Sequence, residues 1–176
     1  MFRLFREPDP TAQAATELYG SVVTQARHVS FYSDLMVPDT KEGRFEVLVL
    51  HLVMLIERIR AEAGSADPLA RALTETFVTD MDDNFREVGI GDTSVPKKVK
   101  KAAGALYDRT FEYRALSEAG DAAGFARAIG GHVFDDEDRA QARKIADYAI
   151  AAMQDLDAVP LDDIRSGRIS FRAPLS

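Results

Sequence analysis

The chain of 176 residues contains no cysteine, carries a net charge of −7 at pH 7 and is 46% hydrophobic. The lack of cysteine excludes disulfide bonds and thiolate metal sites, and the acidic balance argues against a general nucleic-acid-binding protein. The length and the apolar content fit one domain with a proper core.

The first ten residues, MFRLFREPDP, predict a flexible N-terminus over residues 1–10. The segment lacks the long apolar run and the small-residue cleavage site of a signal peptide. Phe2, Leu4 and Phe5 could touch a membrane surface, but so short a segment would bind only weakly. A frayed chain end is therefore the expectation.

Apolar residues then recur at helical intervals along most of the chain, and no stretch alternates long enough to indicate a strand. With a short segment at Phe31, the predicted helices run from about Thr11 to Arg27, Asp39 to Gly64, Pro68 to Val88, Thr93 or Ser94 to Ala119, Asp121 to Phe134 and Asp135 or Asp136 to Asp157. The fold class is therefore all-α, a single compact bundle of about six to seven helices. We expect a helical domain over residues 11–158 and an irregular tail over residues 159–176.

The segment 37–60 is the most apolar part of the sequence, and Asp39 can cap its helix. Its apolar run is far shorter than the roughly 20 residues of a membrane span. Apolar side chains cover nearly the whole circumference, which is typical of a central core helix or of a helix with a partner on its second face. We expect Val47, Leu50 and Met54 to leave this second face partly exposed for a partner protein.

Arg44, His51 and Arg58 recur at intervals of seven and lie in one line along this helix. Such a cationic line beside apolar residues could form a docking surface. The alternative, which the pattern favours, is the solvated edge of a core helix, where arginine stems cover apolar neighbours.

Asp80 and Asn84 lie one turn apart within the apolar stripe of the helix 68–88. A carboxylate on an apolar face needs a partner, because its burial alone is costly. We favour a structural role for this pair over direct ligand binding. The candidate partners of the carboxylate are Arg44, Lys97, Lys101 and the free N–H groups at the start of the Ser94 helix.

Lysines at positions 97, 98, 100 and 101 form the concentrated positive charge of this acidic chain. They could meet an anionic lipid headgroup, an RNA phosphate or an acidic partner loop. No aromatic residue is interleaved with them, which disfavours single-stranded nucleic acid. A solvated helix face is the simplest interpretation.

We find no motif for catalysis, cofactor binding or metal binding. The three histidines show no helical ligand spacing, and no Glu-x-x-His pattern is present. Residues 80–84, DMDDN, look like the start of a calcium loop, but Phe85 and Gly91 stand where that loop needs glycine and glutamate. Phosphate loops, dinucleotide fingerprints and nucleophile elbows are absent. We therefore predict a protein that is not an enzyme, with no catalytic residue, no metal and no cofactor.

Four segments carry a more specific pattern. They are LYGSVVTQARHVSFY (Leu18–Tyr32), VPDTKEGRFEVLVLHLV (Val37–Val53), TDMDDNFREVGIGDTSVPKKVKK (Thr79–Lys101) and ALYDRTFEY (Ala105–Tyr113). Together they resemble the ubiquinol–cytochrome c chaperone family, which are assembly factors for the respiratory cytochrome bc complex. The resemblance covers roughly residues 11–135, and the last helix and the tail carry little of it. Mitochondrial relatives have long N-terminal extensions, so this chain looks like a compact bacterial member.

The resemblance implies a non-enzymatic chaperone that binds newly made cytochrome b and supports assembly of the complex. We expect it in the cytoplasm, peripheral at the inner face of the cytoplasmic membrane, with possible contact to anionic lipid. Nucleic acid is not an expected partner, and ribosome contact is left open. The expected client-contact residues are Arg44, Val47, His51, Met54, Lys97, Lys98 and Lys101, with Asp80 and Asn84 holding the geometry. The alternative function is a small-ligand carrier or an enzyme with a polar site around Asp80 and Asn84.

Overall fold

The computed structural model describes residues 9–64 and 66–174, and every regular element in these ranges is a helix. The elements are α1 (Pro10–Ala26), α2 (Val29–Ser33), α3 (Lys41–Ala63), α4 (Pro68–Glu87), α5 (Val95–Glu118), α6 (Ala122–Phe134), α7 (Ala140–Asp157) and α8 (Leu161–Arg165). Six of them are 13 residues or longer, whereas α2 and α8 have five residues each. The predicted all-α class is confirmed.

Caps and prolines explain most of the helix starts. Asp9 and Asp67 cap α1 and α4, and a proline follows each of them at the first helical position. The cap of α3 differs from the prediction, because Thr40 and not Asp39 accepts the hydrogen bond from the Gly43 N–H, at 3.1 Å. Thr40 is the extended residue directly before the helix, which is the position from which a side chain reaches the first turn.

The turn between α6 and α7 also differs from the prediction. Asp135 adopts a left-handed conformation, with φ of 54°, and ends α6 instead of starting α7. The backbone then folds back on α6, where the Asp136 N–H donates to the Gly130 carbonyl at 3.1 Å. The helix α7 therefore begins only at Ala140.

The structure describes only part of the two chain ends for which the sequence made predictions. Residues 1–8 of the predicted flexible N-terminus lie outside the described residues, and Pro10 already belongs to α1. The tail predicted as irregular contains α8, which is followed by a turn at Gly167. Ile169 and Phe171 then pack against the core, as their apolar side chains suggest.

The core is organised around α3. This helix contacts α1, α4, α5, α6, α7 and α8, while α1 packs mainly on α4 and α6 on α7. Val47, Leu50 and Met54 are 0%, 1% and 3% exposed, so the expectation of an exposed second face on α3 is wrong. The helix is apolar nearly all round because neighbouring helices cover it on nearly every side.

Exposed apolar side chains lie elsewhere in the described residues. The large ones are Val29, Met36, Val88, Tyr107 and Phe111. None of the helices in these ranges combines the length and the apolarity that crossing a bilayer would require.

Candidate functional site

A groove of about 650 Å³ opens between α1, α3, α4 and α5. Half of its lining is apolar and comes from all four helices and from the α4–α5 connection. These residues are Val23, Ala26, Phe45, Leu48, Met81, Phe85, Val88, Ile90, Ala102 and Ala105. The groove is therefore a concave surface that combines apolar side chains with access from solvent.

Charged residues line the same groove, and they are mostly basic. The basic ones are Arg27, Lys41, Arg44, Lys98, Lys101 and Arg109, and the acidic ones are Glu42, Glu46 and Asp80. The groove is therefore locally positive on a chain whose net charge is −7. Such a reversal of sign favours anionic groups at this surface over the rest of the molecule.

The groove collects five of the nine residues that the sequence selected. They are Arg44 from α3, Asp80 and Asn84 from α4, and Lys98 and Lys101 from α5. The pairs on α4 and α5 share a face because their members are four and three residues apart. This grouping links sequence positions that lie far apart in the chain.

The other four selected residues lie outside the groove. Lys97 is exposed on α5 but does not line it. Val47, His51 and Met54 are enclosed by the core, so this conformation offers no surface on which they could meet a partner. The expected client-contact face of α3 is corrected accordingly, and the exposed apolar surface is supplied by other residues.

Asp80 has a partner that the sequence analysis did not propose. The Tyr19 hydroxyl donates to the Asp80 carboxylate at 2.8 Å, which connects α4 to α1. Burial, followed by this hydrogen bond to a negative group, raises the pKa of Tyr19 above its ordinary value. Tyr19 therefore stays a neutral donor, and the expected structural role of Asp80 has a concrete contact.

The ion pair between Glu46 and Arg109 borders the groove and joins α3 to α5. Two guanidinium nitrogens of Arg109 donate to the carboxylate, at 2.9 and 3.1 Å. Burial is the strongest single influence and opposes the charge of Arg109, but the hydrogen bond and the charge attraction to Glu46, with smaller attractions to Tyr113 and Glu112, together raise the arginine pKa above its ordinary value. The signal in the sequence was a glutamate inside an otherwise apolar stretch, which must find a cation.

Several cations of the groove remain available to a ligand. Arg27, Lys41, Lys98 and Lys101 form no ion pair within the described residues. The Lys98 ammonium lies 6.0 Å from the centre of the Phe85 ring, so its charge stays next to apolar lining. Free positive charge beside apolar surface is the chemistry that binds amphipathic or lipid-bearing partners.

His51 lies in a closed network on another side of α3. Its Nδ1–H donates to the Val47 carbonyl at 2.7 Å, and its Nε2 accepts from the Tyr148 hydroxyl at 2.7 Å. The rings of Phe31 and Phe171 lie nearly perpendicular to the imidazole, at centroid distances of 5.3 and 5.1 Å. Burial lowers the pKa of His51 to about 4, so the ring is neutral at pH 7.

Arg58 is also drawn into the interior. Its guanidinium donates to the backbone carbonyls of Leu156 and Val159, at 2.9 and 2.8 Å, and it pairs with Glu62 at 2.7 Å. Of the cationic line along α3, only Arg44 is exposed. The favoured interpretation as a solvated edge is therefore wrong for the two other members, because α7 and the tail cover them.

The family model described as ubiquinol–cytochrome C chaperone matches residues 33–171, and the chain therefore belongs to that family. A protein from Mus musculus, ubiquinol-cytochrome c reductase complex assembly factor 1, is 24% identical over 162 residues, which are 90% of this chain and 55% of the mouse protein. The chain thus spans about half the length of this curated relative. The crystal structure of the Cbp3 homolog from Brucella abortus superposes with a TM-score of 0.83 at 31% identity, over 94% of this chain and 92% of that one.

Proposed function

We propose that this chain is a non-enzymatic assembly chaperone for the respiratory cytochrome bc complex and that it holds newly made cytochrome b. Membership in the family and the role printed for the mouse relative support the class of function. The observation that carries the site is the groove, which combines apolar lining with unpaired cations.

An apolar segment of the client is the proposed occupant of the groove. Apolar surface in a concave site that faces water is stabilised when a partner covers it. Leu48 from α3, Phe85 from α4 and Val88 from the start of the α4–α5 connection face this common space. A membrane protein that is not yet inserted or assembled exposes segments of matching chemistry.

The unpaired cations serve to hold the protein against the membrane in this proposal. Lysine or arginine near an anionic bilayer contributes about 1 kcal/mol per side chain. Lys98 and Lys101 lie on the first turns of α5, at the same groove that receives the client. This arrangement would place the chaperone peripherally at the inner face of the cytoplasmic membrane.

Val88 gives a direct test of the groove. It is 49% exposed and lines the groove, whereas Val29 is 68% exposed and does not. We expect Val88→Asp to lower the recovery of cytochrome b with the tagged chaperone by about tenfold, because an apolar contact would have to bury a charge. Val29→Asp serves as the matched control and should leave recovery unchanged. Equal recovery with both variants would contradict the groove as the client site.

The lysines are tested by charge reversal in separate variants. Lys98→Glu and Lys101→Glu should each lower binding to vesicles rich in anionic lipid by roughly tenfold, since each removes one attraction and adds one repulsion. Lys144→Glu makes the same change on the exposed side of α7 and should have little effect. Vesicle binding that is indifferent to the position of the reversal would contradict a specific membrane-facing surface. If the wild type binds RNA in a steeply salt-dependent way and the Lys98 and Lys101 variants lose that binding, the result would favour ribosome contact.

The alternative function as a small-ligand carrier or enzyme also centres on this groove. Its volume falls in the range of small-molecule sites, about 300–1,000 Å³, and Asn84 faces it without a side-chain hydrogen bond in the described residues. However, Asp80 is already bound by Tyr19, and His51 is enclosed elsewhere. Calorimetry with candidate metabolites on wild type and Asn84→Ala would distinguish this function from client binding.

A further inference from the structure

The outer face of α5 carries two aromatic side chains that the core does not use. Tyr107 is 70% exposed and Phe111 is 59% exposed, and they lie one turn apart. Neither of them lines the groove. Large exposed aromatic side chains that share one helix face are typical of interaction surfaces, because they bring much apolar area to a contact.

The two aromatic residues belong to a longer pattern, which we name the α5 stripe. It consists of Lys100, Gly104, Tyr107, Phe111, Arg114 and Glu118. The intervals are four, three, four, three and four residues, which is the heptad spacing at which helices pack on one another. The intervals read the same from both ends, with residue 109 at the midpoint.

This symmetry gives the α5 stripe a particular kind of partner. In an antiparallel pair of identical helices related by a twofold axis, each residue meets the one that lies equally far beyond the midpoint. Lys100 of one copy would then meet Glu118 of the other, and Tyr107 would meet Phe111. The ends would form ion pairs and the centre would form an aromatic cluster.

The contacts within one copy leave the two charged ends of the stripe free for such a pairing, whereas Arg114 pairs with Glu57 of the same copy at 3.8 Å. Lys100 and Glu118 form no ion pair within residues 9–64 and 66–174. A Cβ atom on Gly104 would meet nothing within 4 Å, so the packing of a single copy does not require glycine at this position. Glycine weakens a helix interior relative to alanine, but at position 104 it would make room for Arg114 of the second copy. Within each copy, the guanidinium carbon of Arg114 lies 5.4 Å from the centre of the Phe111 ring.

We propose that the α5 stripe is a self-association surface, through which two copies of this chain pair with their α5 helices antiparallel. The twofold axis lies near residue 109. The charge of the stripe is basic at its N-terminal end and acidic at its C-terminal end, so only the antiparallel orientation brings opposite charges together. The α5 residues of the groove, among them Lys98 and Ala105, are not part of the stripe, so the groove stays open in the dimer.

The central aromatic cluster is tested by sedimentation velocity over a wide dilution series. We expect a monomer–dimer equilibrium for the wild type and an approximately hundredfold weaker dimer for Phe111→Glu, because the change acts twice in a symmetric interface. Val29→Glu places the same charge at another exposed site and should leave the equilibrium unchanged. A monomer at every concentration, or a dimer that tolerates Phe111→Glu, would overturn the proposal. Thermal unfolding of each variant verifies that the fold is retained.

Charge reversal tests the pairing of the two ends. Lys100→Glu and Glu118→Lys should each weaken the dimer by about tenfold, because each creates two like-charge contacts per dimer. The double variant restores opposite charges across the interface and should dimerise within about threefold of the wild type. A double variant that is weaker than either single variant would overturn the register.

Crosslinking tests the orientation, and the chain is suited to it because it has no cysteine. Lys100→Cys and Glu118→Cys are prepared separately and treated with a short bifunctional thiol reagent. Positions 100 of two antiparallel copies lie about 27 Å apart along the pair, so neither variant should crosslink alone. An equal mixture should give crosslinked dimers. Efficient crosslinking of each variant alone would indicate a parallel pair and overturn the proposal.

Discussion

Two regions around α3 show how the same apolar helix can be used in different ways. Towards α7 and the tail, the polar side chains of His51 and Arg58 are enclosed, and both form hydrogen bonds to α7 or to the segment that follows it. Towards α1, α4 and α5, Leu48 remains partly exposed and lines the groove beside unpaired lysines. The difference comes from the neighbours of the helix and not from its own hydrophobicity. His51 and Arg58 are hydrogen-bonded where the fold is closed, whereas Lys98 and Lys101 form no ion pair within the described residues where it is open.

The largest expected effect is a loss of stability, and it differs between two leucines that lie one turn apart on α3. Leu52 is 0% exposed, whereas Leu48 lines the groove. We expect Leu52→Ala to lower the free energy of unfolding by about 4 kcal/mol, because the cavity it leaves is closed on all sides. Leu48→Ala should cost about 1 kcal/mol, because its side chain already contacts water. Chemical denaturation measures both values.

The functional effects of these two variants should show the reverse order. Leu48→Ala should lower client recovery at a temperature where both proteins are folded, and Leu52→Ala should not. Similar losses of stability for the two variants would contradict the distinction between an enclosed and an open region.

The next effect is the pH dependence of stability that arises from His51. The folded protein keeps the pKa of this residue at about 4, whereas the unfolded chain has the ordinary value of 6.5. Between these values the unfolded state binds more protons, so stability is complete above pH 6.5 and falls as the pH is lowered towards 4. This contribution amounts to roughly 3 kcal/mol.

The control for this prediction is His51→Gln, which cannot titrate. Denaturation of both proteins across this pH range measures the difference between them, and other titrating groups cancel in that difference. We expect the free energy of unfolding of the variant to change by roughly 3 kcal/mol less than that of the wild type across this pH range. An unchanged pH dependence would mean that His51 can take up a proton in the folded state, and that the enclosed region is accessible to water.

The smallest effect concerns the hydrogen bond between Tyr19 and Asp80. Tyr19→Phe removes the donor and keeps the ring, so we expect a loss of about 1 kcal/mol of stability. Thr24→Val is a control outside the groove, because it removes an exposed hydroxyl that donates to the Gly20 carbonyl of the same helix. A loss in Tyr19→Phe that does not exceed the control would show that this contact does not hold α1 to α4.

The sequence was sufficient for the helices, because their apolar intervals, prolines and caps are local signals. Asp67 followed by Pro68 located the start of α4, and the helical class followed from such features. The burial of Val47 and Met54 could not be predicted in this way. An apolar second face is the same pattern whether another helix of the chain or a separate protein covers it.

The candidate site was predictable to the extent that it depends on unusual residues. The sequence selected four residues that line the groove, Asp80, Asn84, Lys98 and Lys101. The first two are polar residues inside an apolar stripe, and the last two belong to a cluster of lysines in an acidic chain. The apolar lining was not predicted as a groove, because the apolar stripe that contains Met81, Phe85 and Val88 does not show which of its side chains the neighbouring helices leave uncovered. The contact of Asp80 with Tyr19 joins residues 61 positions apart, which no local pattern encodes.

Gly43 allows the loop before α3 to pack closely against the first turn of that helix. Any Cβ atom at this position would collide with the carbonyl of Pro38, so the entry loop rests directly on the backbone of the first helical turn. Lys41 and Arg44 project from this same turn into the groove. We expect a larger residue at position 43 to displace either the loop at Pro38 or the first turn of α3, which carries Lys41 and Arg44. A substitution at a residue that does not line the groove would in this way reach two of the cations at its edge.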